Sequence, residues 1–172
     1  LQATFRFQRF ARGADILSGY AADVYDLTRL GTRDGPMIEL GRFCLAPGVH
    51  DPDLVRLAWA ALTRVVDRER ATFLFGCSSF GGTDPAPYAD ALRLLATRHR
   101  APEALAPTPR APEVVPLAAG VIDGAAAQRQ MPPLLRTYLL MGGWVSDHLV
   151  VDRAMSTLHV FTAVEIAKVP EN

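Results

Sequence analysis

Lysine is nearly absent from this 172-residue chain: of 18 basic residues, only Lys168 is a lysine. Acidic residues also number 18, so no global field draws the protein to nucleic acid or to an anionic membrane. Arginine suits bidentate contacts with carboxylates and phosphates, although a GC-rich coding sequence produces the same bias. Cysteine is scarce too. Cys44 and Cys77 make neither a disulfide framework nor a metal cluster. His50, His99, His148 and His159 lack a ligand spacing such as HExxH, so no metal site is expected. No apolar run reaches the ~18 residues of a membrane span. The opening LQATFRFQRF reads as a strand rather than a leader, which points to a cytoplasmic protein. A domain seldom begins inside a core strand, so sequence ahead of this chain is expected.

What is present is enough for one α/β domain, 1–172. Apolar residues make up 49% of the chain. Residues 1–10 alternate, with Ala3, Phe5 and Phe7 against Thr4, Arg6 and Gln8, which predicts a strand. Residues 11–36 connect it to a second strand over 37–45. Asp51 and Pro52 then form an N-cap and first helical residue. The helix they open, carrying Leu54, Leu57, Ala58, Ala61, Leu62 and Val65 at helical spacing, runs to about Arg68. ATFLFGCSSF, 71–80, is apolar enough for a strand buried on both faces. Asp84 and Pro85 repeat the cap-and-proline start of a second helix. Residues 101–116, with five prolines, read as a loop. Pro132 and Pro133 open a third helix that Gly142 and Gly143 stop, and 157–166 is a closing strand. A crossover helix between 37–45 and 71–80 makes those strands parallel neighbours, with ligands favoured at their carboxyl ends.

The stretch MIELGRFCLAP, 37–47, sets the chemical question. It places Glu39 and Arg42 in an apolar strand, where an unpaired charge costs several kcal/mol. Strand alternation points the two to opposite faces unless a bulge intervenes, and Gly41 is the residue that tolerates one. Glu39 is either half of a buried ion pair with Arg42 or Arg6, or a proton acceptor whose pKa burial raises.

IELGRFCL, LFGCSSFGGTDP, PPLLRTYLLMGGWVSDHLVVD and LHVFTAVEI resemble, in order and spacing, the ornithine–acyl carrier protein N-acyltransferases. These are GNAT-like acyltransferases related to the acyl-homoserine-lactone synthases. The resemblance implies a mixed central sheet with splayed parallel strands flanked by helices, whose N-terminal strand and helices fall outside this chain. It also implies transfer of a 3-hydroxyacyl group from acyl carrier protein to the α-amine of ornithine or a similar amino acid, the first step of ornithine-lipid synthesis. The donor carries phosphopantetheine and no separate cofactor is needed. The lipid product implies transient contact with the inner membrane surface.

Ornithine acyltransferases usually read Ser after ELGR. Phe43 stands there in this chain, closer to the E-x-S-R-F of the lactone synthases, and Arg6 matches an Arg of their preceding strand. Catalytic roles would fall to Glu39, Arg42 and Tyr138, the last as general acid for the leaving thiolate or as plain core. Arg6, Phe43, Ser78, Ser79, Phe80 and Asp152 would contact donor or acceptor. Ser78 and Ser79 equally read as strand-end caps, Asp84 as an N-cap, and Asp147 and Asp152 as the flanks of a loop. Both cysteines read as buried structural thiols. Two readings stay open beside the N-acyltransferase, an autoinducer synthase and a noncatalytic acyl-carrier or lipid-binding remnant.

Overall fold

The computed structural model describes residues 2–46, 48 and 52–170; of Leu45, Pro52 and Val55 it describes the backbone alone. The elements run β1 (Ala3–Phe10), β2 (Tyr25–Asp26), β3 (Met37–Leu45), α1 (Pro52–Glu69), β4 (Phe73–Gly81), α2 (Ala89–Arg98), β5 (Thr108–Pro109), β6 (Val114–Pro116), α3 (Gly124–Gln130), α4 (Pro133–Leu140), β7 (Trp144–Val145), β8 (His148–Asp152) and β9 (Thr157–Glu165). One seven-stranded mixed sheet has the order β1-β3-β4-β9-β8-β6, with β7 added against β9.

β3 and β4 are parallel neighbours, as their crossover helix predicts. They pair only from Met37–Leu40 against Phe73–Gly76; above that rung the two strands diverge. The divergence follows from their other partners. β1 holds β3 along its length, and β9 holds all of β4 from Phe73 to Gly81. Gly76 sits at the last shared rung because a Cβ there would run directly into the Leu40 carbonyl oxygen.

Strand register sorts the side chains into two layers. Glu39 stands level with Phe75, and Ser79 with His159. Glu39, Phe75, Cys77, Ser79 and His159 therefore share one face. That face is covered by the 3₁₀ turns of 13–32, whose Ile16, Ala21, Tyr25, Leu27 and Leu30 bury against Met37, Phe73, Phe75 and Phe161. The other face carries all four helices. Leu62, Val66 and Tyr138 pack on Ile38, Leu40 and Leu74, and Leu92, Leu95, Ala127 and Leu135 pack on Phe80, Leu158 and Val160.

Several expectations need correcting. The proline-rich 101–116 contains β5, which pairs with β2, and β6, an edge strand of the main sheet where proline is tolerated. Residues 148–152 are strand β8 rather than a loop between Asp147 and Asp152. The unanticipated α3 is started by Asp123, whose carboxylate accepts from the Ala125 and Ala126 amides at 2.9 and 3.0 Å. Asp84 accepts from Ala86 N–H at 3.0 Å, but it caps no helix: the N-cap of the 3₁₀ turn there is Pro85 and that of α2 is Tyr88. The cap expected of Asp51 lies outside the described residues.

Candidate functional site

The diverging ends of β3 and β4 frame a cavity of about 320 Å³. Its wall includes Arg6, Gln8, Glu39, Arg42, Asp152 and His159, and also Leu40, Phe43, Pro132, Leu134, Leu135 and Tyr138. The polar set lies mainly on the face of the 3₁₀ turns, and Leu40, Leu135 and Tyr138 belong to the helix-bearing face. The cavity thus passes through the plane of the sheet, from a polar chamber into an apolar one.

Glu39 is 5% exposed, and the structure replaces the expected ion pair with a different anchor. Its carboxylate accepts from Tyr20 N–H at 3.0 Å and Ala21 N–H at 2.6 Å, the first amides of a 3₁₀ turn. Gly19 permits this approach, since a Cβ there would stand 2.8 Å from Glu39 Oε2. Burial raises the Glu39 pKa; the two amides and nearby Arg6 oppose that rise. No described hydrogen bond links Glu39 to Arg6 or Arg42. Arg6 donates to Gln8 at 2.5 Å, and the Arg42 guanidinium lies 5.7 Å from the Tyr20 ring centroid.

The bulge exists, one residue beyond the expected place. Between Thr4↔Cys44 and Arg6↔Gly41, Phe5 faces both Arg42 and Phe43. Arg42, not Gly41, takes the left-handed backbone, with φ of 55°. A non-glycine residue held there costs about 1–3 kcal/mol, a strain that clusters at functional sites. Gly41 has nothing within 4 Å of its would-be Cβ, so it leaves an open patch in the cavity wall. Phe43 stacks on Phe5 with centroids 6.2 Å apart.

Ser78 and Ser79 both line the cavity from opposite faces of β4, Ser78 buried and Ser79 exposed. Asp152, at the end of β8, reaches it as well and accepts from Met155 N–H at 2.9 Å. Tyr138 is buried on the apolar wall with its ring edge-on to Trp59. Burial raises its pKa, which keeps the hydroxyl in its proton-bearing form. Phe80 is a correction. It packs into the helix-bearing core against Tyr88 and does not line the cavity.

Cys44 is also a correction, being exposed at the cavity. Cys77 lies deeper, and burial followed by the nearby Glu39 and Asp152 charges pushes its thiol far up. A thiolate is therefore disfavoured at Cys77. We expect iodoacetamide to label Cys44 quickly and Cys77 slowly in the native protein. The Cys44→Ala/Cys77→Ala double variant should keep most turnover. A trapped acyl-thioester on either cysteine would overturn direct transfer.

Sequence reading missed Tyr20, Gln8 and above all His159. The imidazole is 4% exposed, lies on the Glu39 face and lines the cavity. Its signal was a lone histidine inside the apolar run of TLHVFTAVE, invisible to a search for metal spacing.

A splayed parallel pair, a bulge at the fork and a cavity running between two chambers define the GNAT-like acyltransferase fold. Over nearly its whole length the chain is similar to curated L-ornithine Nα-acyltransferases. It is 35% identical to the L-ornithine N(alpha)-acyltransferase of Rhodobacter capsulatus over 170 residues, 98% of this chain and 66% of that protein. The enzyme of the same name from Brucella abortus is 32% identical over 173 residues, 96% of this chain and 61% of that protein. Another of that name, from Rhizobium meliloti, is 32% identical over 77% of this chain and 46% of its own length. The chain thus spans under two thirds of the length of these curated relatives. No family profile and no solved structure matches it.

Proposed function

We propose that the protein transfers a 3-hydroxyacyl group from acyl carrier protein to the α-amine of ornithine, opening ornithine-lipid synthesis. The observation that carries this reading is the cavity through the sheet. It offers a buried carboxylate in a polar chamber for an amino acid and an apolar chamber for an acyl chain. The relatives named as ornithine acyltransferases support the acceptor. Arg6 and Arg42, neither tied to Glu39, suit the acceptor's carboxylate. The edge of β3 above Leu40 has no strand partner on the β4 side, so backbone amides there can polarise a thioester carbonyl. Glu39 takes a proton from the attacking nitrogen, and Tyr138 faces the departing sulfur.

The donor follows from the start of α1. A coenzyme A diphosphate needs amides and glycines at a helix N-terminus. Here the first turn carries Asp53, exposed and paired with Arg56 at 3.0 Å, which already satisfies the helix dipole and repels phosphate. Carrier proteins are acidic and present one phosphodiester. Of the arginines suited to dock one, Arg9, Arg12 and Arg100 are engaged by Glu69, Asp15 and Asp147, and Arg136 bonds the Gln128 and Met131 carbonyls. Exposed Arg98 is the better candidate.

The test measures free carrier thiol and acyl-ornithine from matched 3-hydroxyacyl donors. Carrier protein should exceed coenzyme A in kcat/KM by at least tenfold, with an advantage that shrinks as salt rises. Equal donors would remove the carrier assignment. Acylation of other amino acids in preference to ornithine would remove the acceptor.

A further inference from the structure

A histidine-centred device lies in the polar chamber, four residues along β4 from the level of Glu39. Tyr25 Oη is 2.9 Å from the His159 carbonyl oxygen and 3.0 Å from His159 Nδ1. The hydroxyl has one proton, and the carbonyl can only accept, so that proton points to the carbonyl. With the proton given to the carbonyl, Nδ1 carries its own hydrogen and donates to Oη. This clamp fixes one tautomer and leaves a lone pair on Nε2. Among the described residues nothing hydrogen-bonds that nitrogen, and His159 lines the cavity. The neighbouring His148 is different: its Nδ1 meets Asp147 Oδ1 at 2.7 Å, and its Nε2 is sealed from solvent without a partner.

The chemistry of amide formation calls for such a group. An amino acid enters as an ammonium and leaves as an amide, so nitrogen sheds two protons. The departing pantetheine sulfur takes up one, and the other must reach water. One carboxylate holds one proton at a time. Resting on the acyl-transfer reading above, we propose that His159 Nε2 is a second catalytic base, which strips the incoming ammonium to the amine, and that Tyr25 is its positioning residue. The amine then forms the C–N bond to the thioester carbonyl carbon. Glu39 accepts the second proton, the C–S bond breaks, and that proton passes to the sulfur. The imidazolium returns its proton to water through the cavity mouth.

The surroundings suit a base that starts neutral. Burial lowers the His159 pKa, and His148 on β8 pushes the same way while Asp152 on β8 opposes them. Tyr25 faces the ring from β2, Ser79 stands opposite on β4, and Cys77 follows on that face toward Glu39. Burial holds the Tyr25 hydroxyl well above its ordinary pKa, so it stays a donor.

The test is kcat and acceptor KM against pH, at saturating donor, for wild type, His159→Gln, His159→Ala and Tyr25→Phe. We expect His159→Gln to lose about 10²-fold in kcat, with acceptor KM nearly unchanged. The acidic limb of the pH profile that sits below the ordinary imidazole range should vanish. Added imidazole should restore turnover to His159→Ala. Tyr25→Phe should lose about tenfold while keeping that limb. A folded His159→Gln with wild-type kcat and pH profile, or a His159→Ala that imidazole does not rescue, overturns the proposal. Wild-type protein that acylates no amine overturns the transferase reading itself, an outcome distinct from unchanged turnover in the variants.

Discussion

Glu39→Gln should lower transfer by roughly 10²–10⁴-fold, the usual contribution of a positioned proton acceptor. The structure adds a second expected effect. Both carboxylate oxygens accept backbone amides, from Tyr20 and Ala21. A glutamine offers one oxygen and one NH₂, so one of those donors loses its acceptor. An unsatisfied buried donor costs about 1–3 kcal/mol, so the melting temperature should fall as well. The two effects separate by measurement: thermal unfolding reads the lost anchor, and turnover well below the melting transition reads the chemistry. A glutamine variant with a lowered melting temperature and wild-type turnover would make Glu39 a tie for the 3₁₀ turn and nothing more.

Gly76→Ala should be the most disruptive single-methyl change on the sheet. Its Cβ would collide with the Leu40 carbonyl oxygen at the last rung joining β3 to β4. Backbone cannot swing aside as a flexible side chain can. We expect a loss of about 3 kcal/mol, the upper end of the usual overpacking cost, read from urea unfolding. Transfer should fall with it, because the fork of the cavity starts at that rung. Gly41→Ala is the control. Nothing lies within 4 Å of its new methyl, so stability should barely change. A Gly76→Ala protein as stable as wild type would show that the strands can separate a rung lower, and that the fork is not fixed by this contact.

Much of the frame was legible in sequence because it rests on local patterns. Period two marked β1, apolar runs marked β3 and β4, and paired prolines marked the start of α4. The crossover rule then made β3 and β4 parallel. What escaped was weakly patterned. α3, GAAAQRQ, has no apolar stripe of its own, and β6 and β8 are short pieces whose pairing depends on distant partners. Expectations about single side chains failed where a strand is buried on both faces. There, apolar pattern no longer says which side a residue faces, and Phe80 was placed at the cavity when it belongs to the helix core.

The sequence by itself determined that a carboxylate and a guanidinium would share an apolar strand, with Gly41 beside them as the residue that tolerates a bulge. Only the tertiary structure decided what holds Glu39. Its partners, Tyr20 and Ala21, come from a turn 19 and 18 residues away, and they contribute backbone amides that every sequence has. The same holds for His159, whose Nδ1 lies 3.0 Å from the hydroxyl of Tyr25, 134 residues away. Such contacts follow from how strands are ordered across a sheet, and that order is fixed by the sum of long-range packing rather than by any local run of residues.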